Sequence, residues 1–164
     1  MDRIDKEILS LLQQDATLSL QQLSEAVHLS PTPCWRRLQR LEEDGYILRR
    51  VALLSPQKLQ VGVTVFVAIR TTQHNDQWMH RLRKVVDEIP EIVEFYRMSG
   101  DIDYLLRVVV PDVSGYDAVY KRLVSGIELS GVSSSFAMEQ IKWTTALPLD
   151  YVPTGRDRIS RDRR

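Results

Sequence analysis

The most informative part of this sequence runs from Ser30 to Ile47 and reads SPTPCWRRLQRLEEDGYI. Serine is a preferred residue immediately before a helix, and proline suits the first helical position because its missing N–H would have no partner there. Small or apolar residues then recur at helical spacing, at Cys34, Leu38 and Leu41. Gly45 is a typical residue just beyond a helix end. The stretch therefore predicts a helix that begins at Pro31 and ends before Gly45.

Two shorter helical patterns precede this helix. Asp2 is placed to cap the first, and Ser19 with Gln22 forms a capping box at the start of the second. A joint of only a few residues separates the second and third helices, which is typical of a helix-turn-helix. The strand-like run from Ile47 to Leu54 follows and is expected to form a wing and a connector. We therefore place a winged helix-turn-helix domain over residues 1–54.

From Val61 onward the apolar period changes from helical to alternating, which predicts strands. The expected elements are a strand over Val61–Ile69, a helix closed by Pro90, strands over Ile92–Met98 and Tyr104–Val110, a helix over Tyr116–Ile127, and a strand over Val132–Trp143. This βαββαβ order predicts a ferredoxin-like domain over residues 61–149. The fold class is thus α+β.

Charge and composition restrict the possible functions. The 22 basic and 22 acidic residues cancel, yet five arginines fall between positions 36 and 50 and five more lie in the last ten residues. The single cysteine, Cys34, excludes an internal disulfide, and no apolar run approaches membrane-spanning length. With no secretory leader in the sequence, we expect a cytoplasmic protein whose basic tail, residues 150–164, is disordered.

The outer face of the third helix is the first candidate site. With the apolar residues turned inward, Thr32, Pro33, Arg36 and Arg40 lie outward and Trp35 and Arg37 lie on the flanks. Arginine on such a face can pair with guanine in the major groove, and threonine can contact a phosphate or a thymine methyl. The alternative is a solvated basic face, and Trp35 is equally explained as a packing residue.

The second candidate site is the turn that joins two predicted strands, where Asp101 and Asp103 bring two carboxylates together. Such a pair could bind a metal, act in acid–base chemistry or receive the ammonium of a small ligand, but aspartate is also a common turn residue. Without a neighbouring histidine or acidic cluster we expect no metal. No catalytic constellation, phosphate-binding loop or cofactor motif is found, so we expect no enzyme activity and no cofactor.

Two separate motifs resemble the Lrp/AsnC, or feast/famine, family of transcription regulators. Residues 29–47 resemble the family's helix-turn-helix, Gly100–Tyr104 resembles its Gly-x-x-Asp-Tyr turn, and residues 136–149 resemble its closing strand. Within the family the chain is most similar to the branch whose enterobacterial member governs cysteine detoxification. The resemblance implies a winged helix-turn-helix followed by a ferredoxin-like ligand-sensing (RAM) domain that dimerises and often forms octamers.

The resemblance also implies roles for individual residues. The effector, usually an amino acid and here expected to be cysteine, would bind at Ser99, Gly100, Asp101, Asp103, Tyr104, Ser134 and Ser135. Double-stranded DNA would be bound through Ser30, Thr32, Pro33, Trp35, Arg36, Arg37 and Arg40. The sequence thus favours an amino-acid-responsive, sequence-specific DNA-binding regulator. A ligand-independent architectural DNA-binding protein and a ferredoxin-like enzyme fused to a helical module are the alternatives.

Overall fold

In a computed structural model, which describes residues 1–153, the chain folds as two units. Among the described residues, the first unit consists of Met1–Ala52 together with residues 142–153, and the second consists of Leu53–Ile141. Residues from 142 to 149 therefore group with the helices, whereas the sequence assigned them to the ferredoxin-like domain. Most of the basic tail lies outside the described residues. Among residues 1–153 no helix combines the length and apolar character that crossing a bilayer requires.

Three helices build the first unit: α1 (Arg3–Gln14), α2 (Leu20–Ala26) and α3 (Pro31–Glu43). The predicted caps at Asp2 and Ser19 are confirmed, each as a reciprocal capping box. Ile8, Leu23, Cys34 and Leu41 are almost completely buried between the helices, and Leu149 packs against the same core. The core thus fixes which face of α3 is turned to solvent.

The turn between α2 and α3 is set by backbone hydrogen bonds at the end of α2. Leu29 N–H donates to Ser24 C=O (2.9 Å) and His28 N–H donates to Glu25 C=O (3.2 Å), which is a Schellman arrangement. It places His28 in the left-handed region at φ 56°. The end of α3 has the same arrangement, with Gly45 at φ 74°. These two stops position α3 between defined turns.

The second unit contains β1 (Val63–Arg70), α4 (Asp76–Asp87), β2 (Ile92–Arg97), β3 (Tyr104–Val110), α5 (Val113–Gly126) and β4 (Gly131–Phe136). The strands form an antiparallel sheet in the order β2-β3-β1-β4, which confirms the ferredoxin-like prediction. Alternate residues of β1 and β3 are buried together with residues from α4 and α5, and Trp78 and Leu82 are among the largest fully buried side chains.

Two strand predictions were wrong. The run from Ile47 to Leu54 has no regular secondary structure, because alternating apolar residues form a strand only when a partner strand supplies the hydrogen bonds, and none of residues 1–153 does so. The last strand ends at Phe136 rather than Trp143. Phe136 pairs with Val65 and the Ala137 N–H donates to Thr64 C=O (2.9 Å), close to the start of β1. Because β1 begins at Val63, it offers no further residues with which a longer β4 could pair.

Candidate functional site

The exposed face of α3 agrees with the helical spacing of its apolar residues. Cys34 and Leu41 are buried, whereas Thr32, Pro33 and Arg36 are exposed and Trp35 is half exposed. Burial also raises the pKa of the Cys34 thiol, which keeps it in the unreactive protonated form. The exposed face therefore presents one hydroxyl, one aromatic ring and one guanidinium from a rigid helix.

Ser30 occupies the N-cap position of α3, yet its side chain makes no capping hydrogen bond. The side-chain oxygen of a serine at this position ordinarily accepts a hydrogen bond from the N–H of the second or third helical residue. Here the third helical residue is Pro33, which has no N–H to donate. The exposed Ser30 hydroxyl therefore does not cap the N-terminal end of α3, next to Thr32.

Two further arginines of α3 are engaged within the protein. Arg37 Nη1 contacts both Asp2 Oδ2 (2.6 Å) and Asp5 Oδ1 (2.8 Å). Arg40 Nη2 contacts Asp5 Oδ2 at 2.7 Å. Because the two arginines face two carboxylates, the formal charge of this four-residue cluster is zero. The cluster ties the start of α1 to the middle of α3.

The ion pairs of this cluster change the pKa values of its members. Hydrogen bonds to Asp2 and Asp5 raise the pKa of Arg37. Burial pushes the pKa of Asp2 upward, but hydrogen bonds from the Asp5 amide and from Arg37 outweigh that effect and hold it below its usual value of 3.8. Both partners are therefore charged at neutral pH.

The remaining positive charge near α3 is distributed unevenly. Arg50 Nη2 is paired with Glu42 at 2.6 Å. Arg36 and Arg49 are exposed and form no ion pair with any of residues 1–153. Of the five arginines between positions 36 and 50, these two have no internal carboxylate competing with a phosphate for their donors.

The predicted ligand turn is a hairpin loop between β2 and β3. Gly100 has φ 118°, a conformation that side-chain-bearing residues rarely adopt. Asp103 Oδ2 accepts the Thr71 N–H at 2.8 Å, and the Asp103 N–H donates to Ile69 C=O at 2.9 Å. Asp103 thus fastens the turn to the end of β1. The Asp101 side chain is exposed, while its C=O accepts from Arg70 Nε at 2.9 Å.

Tyr104 belongs to the core of the second unit. It is 3% exposed, and its ring centroid lies 5.7 Å from that of Trp78 and 5.6 Å from that of Phe95. Within one chain the Tyr104 ring therefore packs in the core and is not available to a ligand on the surface of the turn. The side chains on the solvent side of this turn are Ser99 and Asp101.

The predicted serines of β4 do not join the turn within a single chain. Ser134 pairs with Val67 and Ser135 with Phe66, in the middle of β1, whereas the turn contacts the C-terminal end of β1 at Ile69. Two strand spacings and two or more residues along the strand separate them, about 12 Å in all. The Ser134 hydroxyl is hydrogen-bonded to Tyr116 on the helix side, and Ser135, the next residue, is exposed.

The predicted ligand residues do not line the surface cavity of the second unit. This cavity, of about 280 Å³, lies between the end of α4 and β2. Residues 1–153 contain no cluster of histidine, cysteine and acidic side chains that could hold a metal ion.

The sequence analysis missed the acidic partners of Arg37 and Arg40, because it treated Asp2 only as a cap and did not single out Asp5. Their acidic side chains, three residues apart, were the available signal.

Comparison with known proteins establishes the family. Residues 1–47 match the winged helix-turn-helix DNA-binding family, and residues 64–147 match the Lrp/AsnC ligand binding domain. The chain belongs to the Lrp/AsnC family of transcription regulators. It is 56% identical over 151 residues to the DNA-binding transcriptional activator DecR of Escherichia coli K12, covering 92% of this chain and 99% of the relative.

Solved structures agree with this assignment. A crystal structure of an AsnC family transcriptional regulator from Agrobacterium tumefaciens shares 62% identity at a TM-score of 0.90, covering 93% of this chain and all of that one (100%). A transcriptional regulator from Neisseria meningitidis, solved as a complex with L-Met, shares 34% identity at a TM-score of 0.87, covering 92% and 97%. The curated relatives are transcription regulators, so the chain is a DNA-binding regulator and not an enzyme.

Proposed function

We propose that this cytoplasmic regulator binds operator DNA through the exposed face of α3 and changes its assembly or DNA affinity when a small amino acid binds. The observation that carries the DNA part is the exposed set on α3, with Thr32, Trp35 and Arg36 outward and Arg36 without an internal carboxylate partner among residues 1–153. Ser30 and Thr32 would fix the helix on the phosphate backbone, and Arg36 would contact a base or a phosphate.

The ion-paired arginines enter this proposal differently. Arg37 is half buried and bonded to two carboxylates, so we assign it to holding α1 against α3 and not to contacting DNA. Arg40 is 52% exposed and uses one nitrogen for Asp5, so it retains donors for DNA. Asp2 and Asp5 neutralise the positive charge of Arg37 and Arg40 within the protein. This favours selective binding over attraction to any polyanion, because non-specific affinity grows with the number of free cations.

Homo-oligomer formation is the second part of the proposal, as a dimer that assembles into an octamer. In the first unit, Leu48 is 91% exposed in a segment without secondary structure. In the second unit, Met138 and Ile141 are 95% and 91% exposed, also in a segment without secondary structure. In the proposed oligomer, a further chain would cover these exposed apolar side chains in each unit. The unpaired backbone of both segments is equally available for strand pairing.

For the effector we propose a free amino acid bound at the Gly100 turn, with cysteine as the first candidate. The N. meningitidis relative binds L-Met, which makes methionine the second. The exposed carboxylate of Asp101 is suited to an α-ammonium group, and backbone N–H groups of the loop are suited to an α-carboxylate. Because the β4 serines lie apart from the turn within one chain, Ser134 and Ser135 would join the site only across a contact between chains.

The test is a selection experiment followed by titration. A duplex selected from a random-sequence pool by the wild-type chain is compared with a scrambled duplex, each measured alone and with every common amino acid. We expect the selected duplex to be bound at least about 1,000-fold more tightly. One amino acid should shift that affinity or the oligomer size. Equal affinity for both duplexes with no amino-acid response would instead identify an architectural DNA-binding protein.

A further inference from the structure

Asp5 is the only buried carboxylate among residues 1–153, with 1% of its surface exposed. Oδ1 accepts from Arg37 at 2.8 Å. Oδ2 accepts from Arg40 at 2.7 Å and from the Asp2 N–H at 2.9 Å. A buried carboxylate held by three donors cannot reorient without leaving several of them unsatisfied. The Asp5 carboxylate is therefore held in one orientation on α1, and it binds the side chains of Arg37 and Arg40 from α3.

The two arginines that share Asp5 differ in what they leave free. Arg37 is 26% exposed and directs Nη1 at both Asp2 and Asp5. Arg40 is 52% exposed and uses only Nη2, while its Nε and Nη1 have no partner among residues 1–153. A guanidinium has two donor edges in one rigid plane. One edge of Arg40 is thus anchored to a buried group while the rest remains accessible from solvent.

We propose that Asp5 is a positioning residue for DNA recognition, which acts through Arg40; this inference rests on the proposed function. A free arginine loses rotamer freedom when it binds a base or phosphate. Arg40 has already lost that freedom in the folded protein, because Asp5 holds it through a short, charge-assisted hydrogen bond. Asp5 itself is buried and does not touch DNA. Its contribution is to fix the direction of the Arg40 guanidinium along α3.

The test compares two substitutions that each remove one carboxylate charge from the same cluster. Asp5→Asn removes the negative charge that holds Arg40 and leaves one acceptor oxygen for the two arginines. Asp2→Asn leaves the contact between Asp5 and Arg40 intact and keeps a good N-cap. With the duplex selected by the wild-type chain, we expect Asp5→Asn to weaken binding about ten-fold, within the range of one arginine–base contact. Asp2→Asn should stay within about two-fold. Equal losses in both variants would overturn the proposal.

A double-mutant cycle distinguishes positioning from a purely structural role. If Asp5 acts through Arg40, Arg40→Ala weakens operator binding in the wild-type chain but costs little more in the Asp5→Asn background. Additive losses would mean that Asp5 supports the fold and not Arg40. Thermal unfolding and oligomer size are measured on every variant. Should Asp5→Asn fail to fold, Asp5→Glu keeps the charge and displaces the carboxylate by one methylene, and unchanged operator affinity in that variant would contradict the proposal.

The same variants separate this inference from the function on which it rests. If Arg36→Ala and Arg40→Ala both leave operator affinity unchanged, the proposed DNA face of α3 is wrong. If Arg40→Ala weakens binding while folded Asp5→Asn and Asp5→Glu bind as the wild type does, the DNA face stands and only the positioning role of Asp5 is wrong.

Discussion

Gly126, the last residue of α5, lies so close to Val85 of α4 that a Cβ atom at position 126 would come within 2.7 Å of Val85 Cγ2. A β-branched valine at the edge of a packed core has little freedom to move away from such a contact. The two helices that cover the sheet of the ligand-binding domain therefore approach each other at a position where only glycine fits.

Gly126→Ala is expected to destabilise the chain by about 1–2 kcal/mol, because overpacking outweighs the small gain in helix propensity at a helix end. The measurement is the free energy of unfolding in urea. Val85→Ala makes room at the same place, so the alanine at position 126 should cost less in that background. An equal cost in both backgrounds would show that the contact with Val85 is not the cause.

Substitutions at His28 test the left-handed turn between α2 and α3. His28 has φ 56° and an exposed side chain, so its replacement changes backbone strain more than packing. His28→Gly should be more stable than His28→Ala by about 1 kcal/mol, because only glycine adopts this conformation without steric cost. Thermal unfolding of the two variants gives the difference. Equal stability would mean that the helix-turn-helix does not need this conformation.

Acid should weaken the first unit through Asp2. Because the pKa of Asp2 is lower in the folded state than its usual 3.8, the folded state binds protons less readily than the unfolded one. The stabilisation is fully present above pH 3.8 and is lost as the pH falls through the lowered value. Unfolding in urea should therefore show a shallower pH dependence for Asp2→Asn than for the wild type across that interval. Identical slopes would exclude Asp2 as a contributor.

Arg36→Ala should weaken binding to the selected duplex by about 1–3 kcal/mol if Arg36 contacts a base. If it contacts a phosphate, the variant should lose affinity for every sequence and show a salt dependence shallower by about one unit. Arg83→Ala is the matched control, because Arg83 is an exposed arginine of α4 in the other unit. A similar loss in both variants would point to overall charge and not to α3.

The two aspartates of the Gly100 turn should separate ligand binding from stability. Asp103→Ala leaves the Thr71 N–H without its partner, at a cost of about 1–3 kcal/mol in the free energy of unfolding. Asp101→Ala removes an exposed carboxylate and should stay within about 0.5 kcal/mol of the wild type. Calorimetric titration with the responsive amino acid should nevertheless show weaker binding to Asp101→Ala. Unchanged binding would remove Asp101 from the ligand site.

Local sequence signals determined the helices and the order of strands in this protein. The caps at Asp2 and Ser19, the stop at Gly45 and the alternation from Val63 to Ile69 each depend on residues close together in the chain. Such signals act through backbone geometry and burial, which periodicity reveals. They were sufficient to predict the α+β class, the βαββαβ order and the exposed face of α3.

Contacts between distant residues were decided only by the tertiary structure. Helical spacing places Arg36 and Arg40 outward and Arg37 on the flank, but it does not indicate which of them form ion pairs. In the structure, α1 brings Asp2 and Asp5 against Arg37 and Arg40 and leaves Arg36 free of them. Likewise, Ile47–Leu54 has the alternation of a strand but no partner among residues 1–153, and Tyr104 of the turn motif lies in the core. The role of a charge or a strand depends on what packs against it, and that information is long-range.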